Sequence, residues 1–123
     1  MSHVVTITTQ VRDADSVRAA CRRLGLDEPV LGTHPLFSEV ASGLAVRLPG
    51  WKYPAVCQLD TGQVRFDNFQ ENWGEQRQLD RLLQMYAVEK AKTEARRRGH
   101  SVSEQLLQDG SIKLTIQVSG GAA

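Results

Sequence analysis

Asp60, Thr61 and Gly62 are adjacent and form the most chemically specific motif in this chain. With Leu59 before it, the triplet matches the active-site sequence of retroviral-type aspartic proteases, in which two such aspartates share a proton. That mechanism needs a nearly all-β fold, which a long amphipathic helical pattern after residue 75 contradicts. Asp-Thr-Gly is also ordinary turn chemistry between strands. We therefore interpret residues 60–62 as a turn, with a protease as the alternative.

Three histidines, His3, His34 and His100, are candidates for metal binding or acid–base chemistry. None of them has the helix-face spacing of a motif such as HExxH. His3 could bind copper or nickel together with a free amino terminus, His34 in a proline-flanked loop is the best site candidate, and His100 suits a helix C-terminus. We predict no metal site and no cofactor.

The cysteines and the oxygen-rich run at 67–72 have structural interpretations. Cys21 and Cys57 form no CxxC motif and are expected to be reduced, buried thiols. Residues 67–72 lack the glycine and the late glutamate of a calcium loop. We interpret this run as a polar connection that ends in Asn72, the cap of the next helix.

Basic residues cluster near the C-terminal ends of two predicted helices, where the helix dipole favours cations even without a ligand. The net charge of +1, from 15 basic and 14 acidic residues, gives no general attraction to nucleic acid or to an anionic membrane. The candidate nucleic-acid-binding residues are Arg22, Arg23, Lys90, Lys92, Arg96, Arg97 and Arg98.

Three aromatic residues, Trp51, Tyr53 and Trp73, stand beside predicted turns. Exposed aromatic side chains can anchor a partner, and they can equally cover the open end of a small core. The sequence leaves both interpretations open.

The alternation of apolar residues and the capping signals predict the elements that position these side chains. A strand at 4–11 precedes a helix that Asp13 caps and Gly25 ends. A loop with one short strand is expected over 27–43. Further strands are predicted at 44–48, 53–59 and 63–67. A helix is predicted at 75–98, with Asn72 and Glu75 in a capping box. A two-residue turn is predicted at Asp109-Gly110, which pairs Leu107 with Ile112.

The order β-α-β-β-β-α-β-β separates strands from helices and predicts an α+β fold. We expect a mainly antiparallel sheet with two helices packed on one face, the second helix being long. A chain of 123 residues has the size of one domain. We predict a single domain over residues 1–118 and a flexible tail at 119–123.

Several segments resemble a known family. They are the opening MSHVVTITTQVRDADSVRAACRRLGL, the helix segment LLQMYA and the ending RRGHSVSEQLLQDGSIKL. They are similar to the Ycf35 family, also called the DUF1257 family, whose Gln-x-Tyr-Ala motif matches Gln84 to Ala87 and whose Asp-Gly-Ser-Ile-Lys-Leu matches Asp109 to Leu114. The resemblance spans nearly the whole chain and is weak between Leu26 and Asn72. These small bacterial and plastid proteins are functionally uncharacterised, so the resemblance implies the domain extent and no catalytic residue.

The sequence has no apolar run near the 20 residues of a spanning helix and no signal-peptide pattern. We expect a soluble, cytoplasmic protein or an organelle-encoded equivalent. The first functional hypothesis is a non-enzymatic accessory or protein-interaction module that binds itself or another protein. The second is a nucleic-acid-binding module, and the third is a small enzyme or ligand binder with a site in the 30–70 region, which would depend on His34 or Asp60.

Overall fold

The computed structural model describes residues 4–118 and confirms the predicted α+β class. His3 and the tail predicted at 119–123 lie outside the described residues. The elements are β1 (Val5–Thr8), α1 (Ala14–Leu24), β2 (Val30–Pro35), β3 (Val40–Val46), β4 (Ala55–Gln58), β5 (Gln63–Phe66), α2 (Gln76–Arg97), β6 (Ser101–Leu106) and β7 (Ile112–Gln117).

The chain divides into two compact units, a first unit of residues 1–86 and a second unit of residues 87–123, with the boundary inside α2. The first unit contains a five-stranded sheet in the order β1-β5-β4-β3-β2, and every pairing in it is antiparallel. The second unit contains the antiparallel pair β6-β7. The predicted antiparallel sheet and element order are confirmed, with β2 as the short strand expected within 27–43. The single domain over 1–118 stays a prediction.

Helix α1 begins and ends at the predicted residues. The Asp13 carboxylate accepts a hydrogen bond from the Asp15 backbone N–H at 3.1 Å. Gly25 follows the helix with a left-handed φ of 72°, and the next residue, Leu26, donates its N–H to the Cys21 carbonyl oxygen at 2.8 Å. Both ends satisfy backbone groups that a helix terminus leaves unpaired.

The helices of the first unit cover one face of its sheet. Leu44, Cys57 and Val64 are neighbours on this face, and each is at most 1% exposed. Cys21 of α1 lies close enough to Cys57 for charge on one thiol to affect the pKa of the other. Leu79, in the first-unit part of α2, is completely buried. The predicted packing of both helices on one sheet face is confirmed for the first unit.

The β2–β3 hairpin covers the opposite face of the same sheet. Its turn residue Glu39 forms an ion pair with Arg65, which lies in β5 opposite Val56 of β4. The hairpin must therefore bend across the sheet to bring Glu39 to this position. An apolar cluster is buried on this face, and its members are Leu36, Ala41, Ala45 and Val56, with Val4 and Tyr53 packed against them.

A pair of glycines permits this bend. Gly32 and Gly43 lie directly opposite each other, one residue before β3 begins to pair with β4 at Leu44. Their φ angles of 154° and 156° belong to a region that residues with side chains rarely adopt. A Cβ atom on Gly43 would also overlap the backbone carbonyl oxygen of Cys57.

The predicted capping box of α2 is wrong. The helix begins at Gln76, whose backbone N–H donates to the Glu71 carboxylate at 2.8 Å. Asn72 instead donates from Nδ2 to the Phe69 carbonyl oxygen at 2.8 Å. Residues 69–71 all have left-handed φ angles of 46°, 51° and 73°, and this turn brings Glu71 rather than Asn72 to the helix start.

The predicted two-residue turn of the last hairpin is also wrong. Leu107 donates its N–H to the Ser111 carbonyl oxygen at 2.8 Å and does not pair with Ile112. A two-residue type I′ turn needs positive φ at both central residues, and here Gly110 has it, at 87°, whereas Asp109 does not. The Asp109 carboxylate accepts from the Ser111 N–H at 2.9 Å, which stabilises the longer turn.

We predict that Gly43→Ala lowers the free energy of unfolding by about 3 kcal/mol or more, because it adds backbone strain and a clash with the Cys57 carbonyl. Gly50→Ala is the matched control, since Gly50 has a φ of 75° and open space around its Cα. Its expected cost is about 1 kcal/mol, from strain alone. Urea unfolding measures both values, and equal costs would contradict the bend at Gly43.

Candidate functional site

The Asp-Thr-Gly motif forms the predicted turn. Thr61 and Gly62 both donate their backbone N–H groups to the Gln58 carbonyl oxygen, at 3.2 and 2.9 Å. Asp60 is exposed in this turn, which joins β4 to β5. The turn interpretation is confirmed.

The other candidates for site chemistry are dispersed. His34 lies in β2, with Nε2 2.9 Å from the Val30 carbonyl oxygen. Within residues 4–118, no three His, Cys, Asp or Glu side chains come together in an arrangement that could hold a metal ion. Neither helix in this range is long and apolar enough to cross a bilayer.

Both thiols are free and buried. Burial, with a smaller contribution from nearby Cys21, raises the pKa of Cys57 to about 12. Burial likewise raises the pKa of Cys21 to about 11, with a smaller contribution from Glu28. A nucleophilic or redox cysteine needs an accessible thiolate, and these environments favour the protonated thiol.

The predicted basic residues fall in both units. Arg22 and Arg23 end α1 in the first unit, and the other five lie in the second unit. Lys90 forms an ion pair with Glu94 at 3.0 Å, and Arg97 approaches the same carboxylate at 3.4 Å. Arg96, Arg97 and Arg98 are exposed at the end of α2.

Lys92 connects the helix of the second unit to its hairpin. Its ammonium group lies 3.3 Å from the Glu89 carboxylate and 2.7 Å from that of Glu104 in β6. The Lys92 side chain is 17% exposed and that of Glu104 is 22% exposed. This pair directs the Glu104 face of the hairpin towards α2 and neutralises the charge of Glu104.

The aromatic residues of the first unit stabilise loops. Trp51 is buried, and its indole N–H donates to the Glu75 carbonyl oxygen at 3.0 Å. The Trp73 ring stacks on Phe69 at a centroid distance of 4.7 Å, and the Lys52 ammonium lies 4.7 Å from the centroid of the same ring. Trp51 therefore covers a core, and Trp73 anchors the connection between β5 and α2.

A buried carboxylate lies at the start of this connection. Asp67 is completely buried, and one of its oxygens accepts the Phe69 N–H at 3.2 Å. Among the described residues, its Oδ2 atom has no hydrogen-bond partner. An unpaired buried carboxylate is costly, and so is the left-handed turn at 69–71 that follows it. Sequence reasoning treated Asp67 as part of a polar connection, since a strand end gives no local signal of burial.

The hairpin of the second unit presents an apolar row, which we define as Val102, Leu106, Ile112, Leu114, Ile116 and Val118. The register pairs Val102 with Ile116 and Leu106 with Ile112, so these side chains share one face. Leu106 is 75% exposed, Ile116 43% and Val118 71%. The sequence predicted the alternation along β7, whereas the exposure of the row depends on tertiary packing that periodicity does not report.

Comparison of this chain with protein-family models, with curated proteins and with solved structures finds no match. The resemblance to the Ycf35 family therefore stays a prediction. The class that the structure defines is an α+β protein, with a two-faced sheet core in the first unit and a hairpin with a partly exposed apolar row in the second.

We predict that raising the pH from about 9 to about 10.5 lowers the free energy of unfolding by on the order of 2 kcal/mol for each thiol. The unfolded thiols ionise near the ordinary pKa of 9.0, while the folded thiols stay protonated to about 11 and about 12. This stabilisation is therefore complete below pH 9 and is lost as the pH rises. Urea unfolding of the wild type and of Cys21→Ala/Cys57→Ala measures it, and the same pH dependence in both would contradict it.

We predict that Asp67→Asn raises the free energy of unfolding by about 1–3 kcal/mol, since it removes an unpaired buried charge and keeps an oxygen to accept the Phe69 N–H. Asp60→Asn, in an exposed turn, is the control and should change stability by no more than about 0.5 kcal/mol. Thermal or urea unfolding measures both. A loss of stability on Asp67→Asn would mean that the charge itself has a partner.

Proposed function

We propose that this protein is a non-enzymatic protein-interaction module that binds an apolar surface of another protein through the β6–β7 hairpin. The observation that carries the proposal is the exposure of Leu106, Ile116 and Val118, the part of the apolar row that stays uncovered. Large apolar side chains that stay exposed close to one another are typical of interaction sites.

The size of the second unit supports the proposal. A two-stranded sheet is marginally stable in water unless further strands or a helix cover it. The part of α2 in this unit supplies the Lys92–Glu104 contact, whereas Leu106 and Ile116 keep much of their surface exposed. A partner that covers the row would remove this surface from water, at about 25 cal/mol per Å² of apolar area.

The chemistry of the row favours a protein partner. Its one charged neighbour on the same face, Glu104, is neutralised by Lys92. An apolar surface of a protein matches such a row, whereas a nucleic acid would meet there a lysine, Lys92, that is already paired with two carboxylates.

The nucleic-acid alternative rests on the exposed arginines at the end of α2. Lys90, Lys92 and Arg97 are engaged with carboxylates of their own unit, which lowers the positive potential there. The net charge of +1 adds no general attraction. These contacts make nucleic acid the less favoured partner.

We predict that a photo-crosslinking amino acid at position 106 forms an adduct with one discrete protein in cells, because Leu106 projects from the exposed row. The same amino acid at Ser103, on the polar face of β6, is the matched control and should give no such adduct. With the purified adduct protein, Leu106→Asp should weaken binding at least tenfold, or about 1.4 kcal/mol. Ser103→Asp should leave the affinity nearly unchanged.

Equal crosslinking from both positions would contradict the proposal, as would binding that Leu106→Asp does not weaken. Recovery of nucleic acid whose binding falls steeply with salt and is lost on Arg96→Glu/Arg98→Glu would favour the alternative function.

A further inference from the structure

The first unit has a free sheet edge at β2. In the described residues 4–118, β2 is the terminal strand of the five-stranded sheet. Val30 is 60% exposed and Leu31 is 70% exposed on this strand, and Val40, beside it on β3, is 59% exposed. Residues 29–38 contain no Asp, Glu, Lys or Arg. An uncharged edge with exposed apolar side chains is a template for pairing with another strand.

The direction of the hydrogen bonds identifies the free groups on this edge. Leu36 donates its N–H to the Glu39 carbonyl oxygen at 2.7 Å, so this pair is a hydrogen-bonded pair of the β2–β3 ladder. Hydrogen-bonded pairs alternate along an antiparallel ladder. In the observed register, Leu31, Thr33 and Pro35 therefore direct their backbone groups away from β3.

Two prolines limit the free edge to a short segment. Pro29 and Pro35 continue the alternate positions of Leu31 and Thr33 along the chain, and neither proline has an N–H group. The outward donors between the prolines are thus the N–H groups of Leu31 and Thr33. These two residues are placed symmetrically about Gly32, and so are the two prolines.

This symmetry makes the segment complementary to itself. When two copies run antiparallel with Gly32 opposite Gly32, Leu31 of each copy lies opposite Thr33 of the other. Each Leu31 and each Thr33 can then donate its N–H to the carbonyl oxygen opposite and accept one in return. The absence of a side chain at Gly32 leaves the axis open, and the lack of charged residues removes like-charge repulsion across it.

We propose that the β2 edge binds the β2 edge of a second copy of this chain, which gives a homodimer with Gly32 on the two-fold axis. The interface is isologous, and the prolines end the pairing on both sides, so the contact closes as a dimer. This surface belongs to the first unit and does not rest on the function proposed for the hairpin of the second unit.

Sedimentation equilibrium of the full chain over a concentration series tests the dimer. The wild type should shift from monomer to dimer mass as its concentration rises. Thr33→Pro removes one of the two outward N–H groups of each copy and should raise the dimer dissociation constant at least tenfold. Thr33→Pro should leave the hydrogen bonds between β2 and β3 intact, because the Thr33 N–H points away from β3. Position 35 of the same strand points the same way and is already a proline. Thr33→Val keeps the N–H and is the matched control, with an expected change of less than about twofold.

Leu31→Lys is a second variant that keeps every backbone donor. It places a cation on each side of the axis, so the dimer should weaken at low salt and recover partly as salt screens the repulsion. Circular dichroism checks that each variant is folded.

A wild type that stays monomeric at its highest soluble concentration would overturn the dimer. A dimer that neither Thr33→Pro nor Leu31→Lys weakens would overturn it too, as would a dimer that Leu106→Asp abolishes. The crosslinking result at position 106 does not depend on any of these three outcomes. A failure of the dimer proposal can therefore be distinguished from a failure of the function proposed for the hairpin.

Discussion

The burial of sheet surface is the constraint on which this structure depends, because the chain has few elements to cover its strands. In the first unit, α1 and the start of α2 cover one face, and the β2–β3 hairpin bends over the other. The ion pair between Glu39 and Arg65 shows that the turn of this hairpin reaches β5. In the second unit, half a helix faces a two-stranded sheet, and part of its apolar row stays in water. The exposed part of this row is the surface that we propose binds a partner.

Local chemistry explains what the sequence could predict. Asp13 and Gly25 act through backbone groups a few residues away, so the ends of α1 could be read directly. The alternation along β7 and the turn at 60–62 were predicted on the same basis. The α+β class followed from the order of these elements.

Features that depend on contacts between residues far apart in the chain could not be predicted from the sequence. The bend of β2 and β3 requires Gly43 to pass close to the Cys57 carbonyl, a contact between separate strands. The left-handed turn at 69–71 moved the start of α2 away from the Asn72 cap, and the conformation of Asp109 lengthened the last turn. Asp67 looked like a polar linker residue, yet packing buries it, and the exposure of the hairpin row is likewise a tertiary property.

Side-chain footprinting with hydroxyl radicals tests the central claim, which is that the hairpin row is exposed in the isolated chain and covered by a partner in the cell. Leu106, Ile116 and Val118 report on the row, and Leu44 and Leu79, which are fully buried, serve as internal references. The row should be labelled strongly in the purified protein and several-fold less in intact cells, while the references stay unlabelled in both. Equal labelling of the row in both settings, or protection already in the purified chain, would contradict the claim.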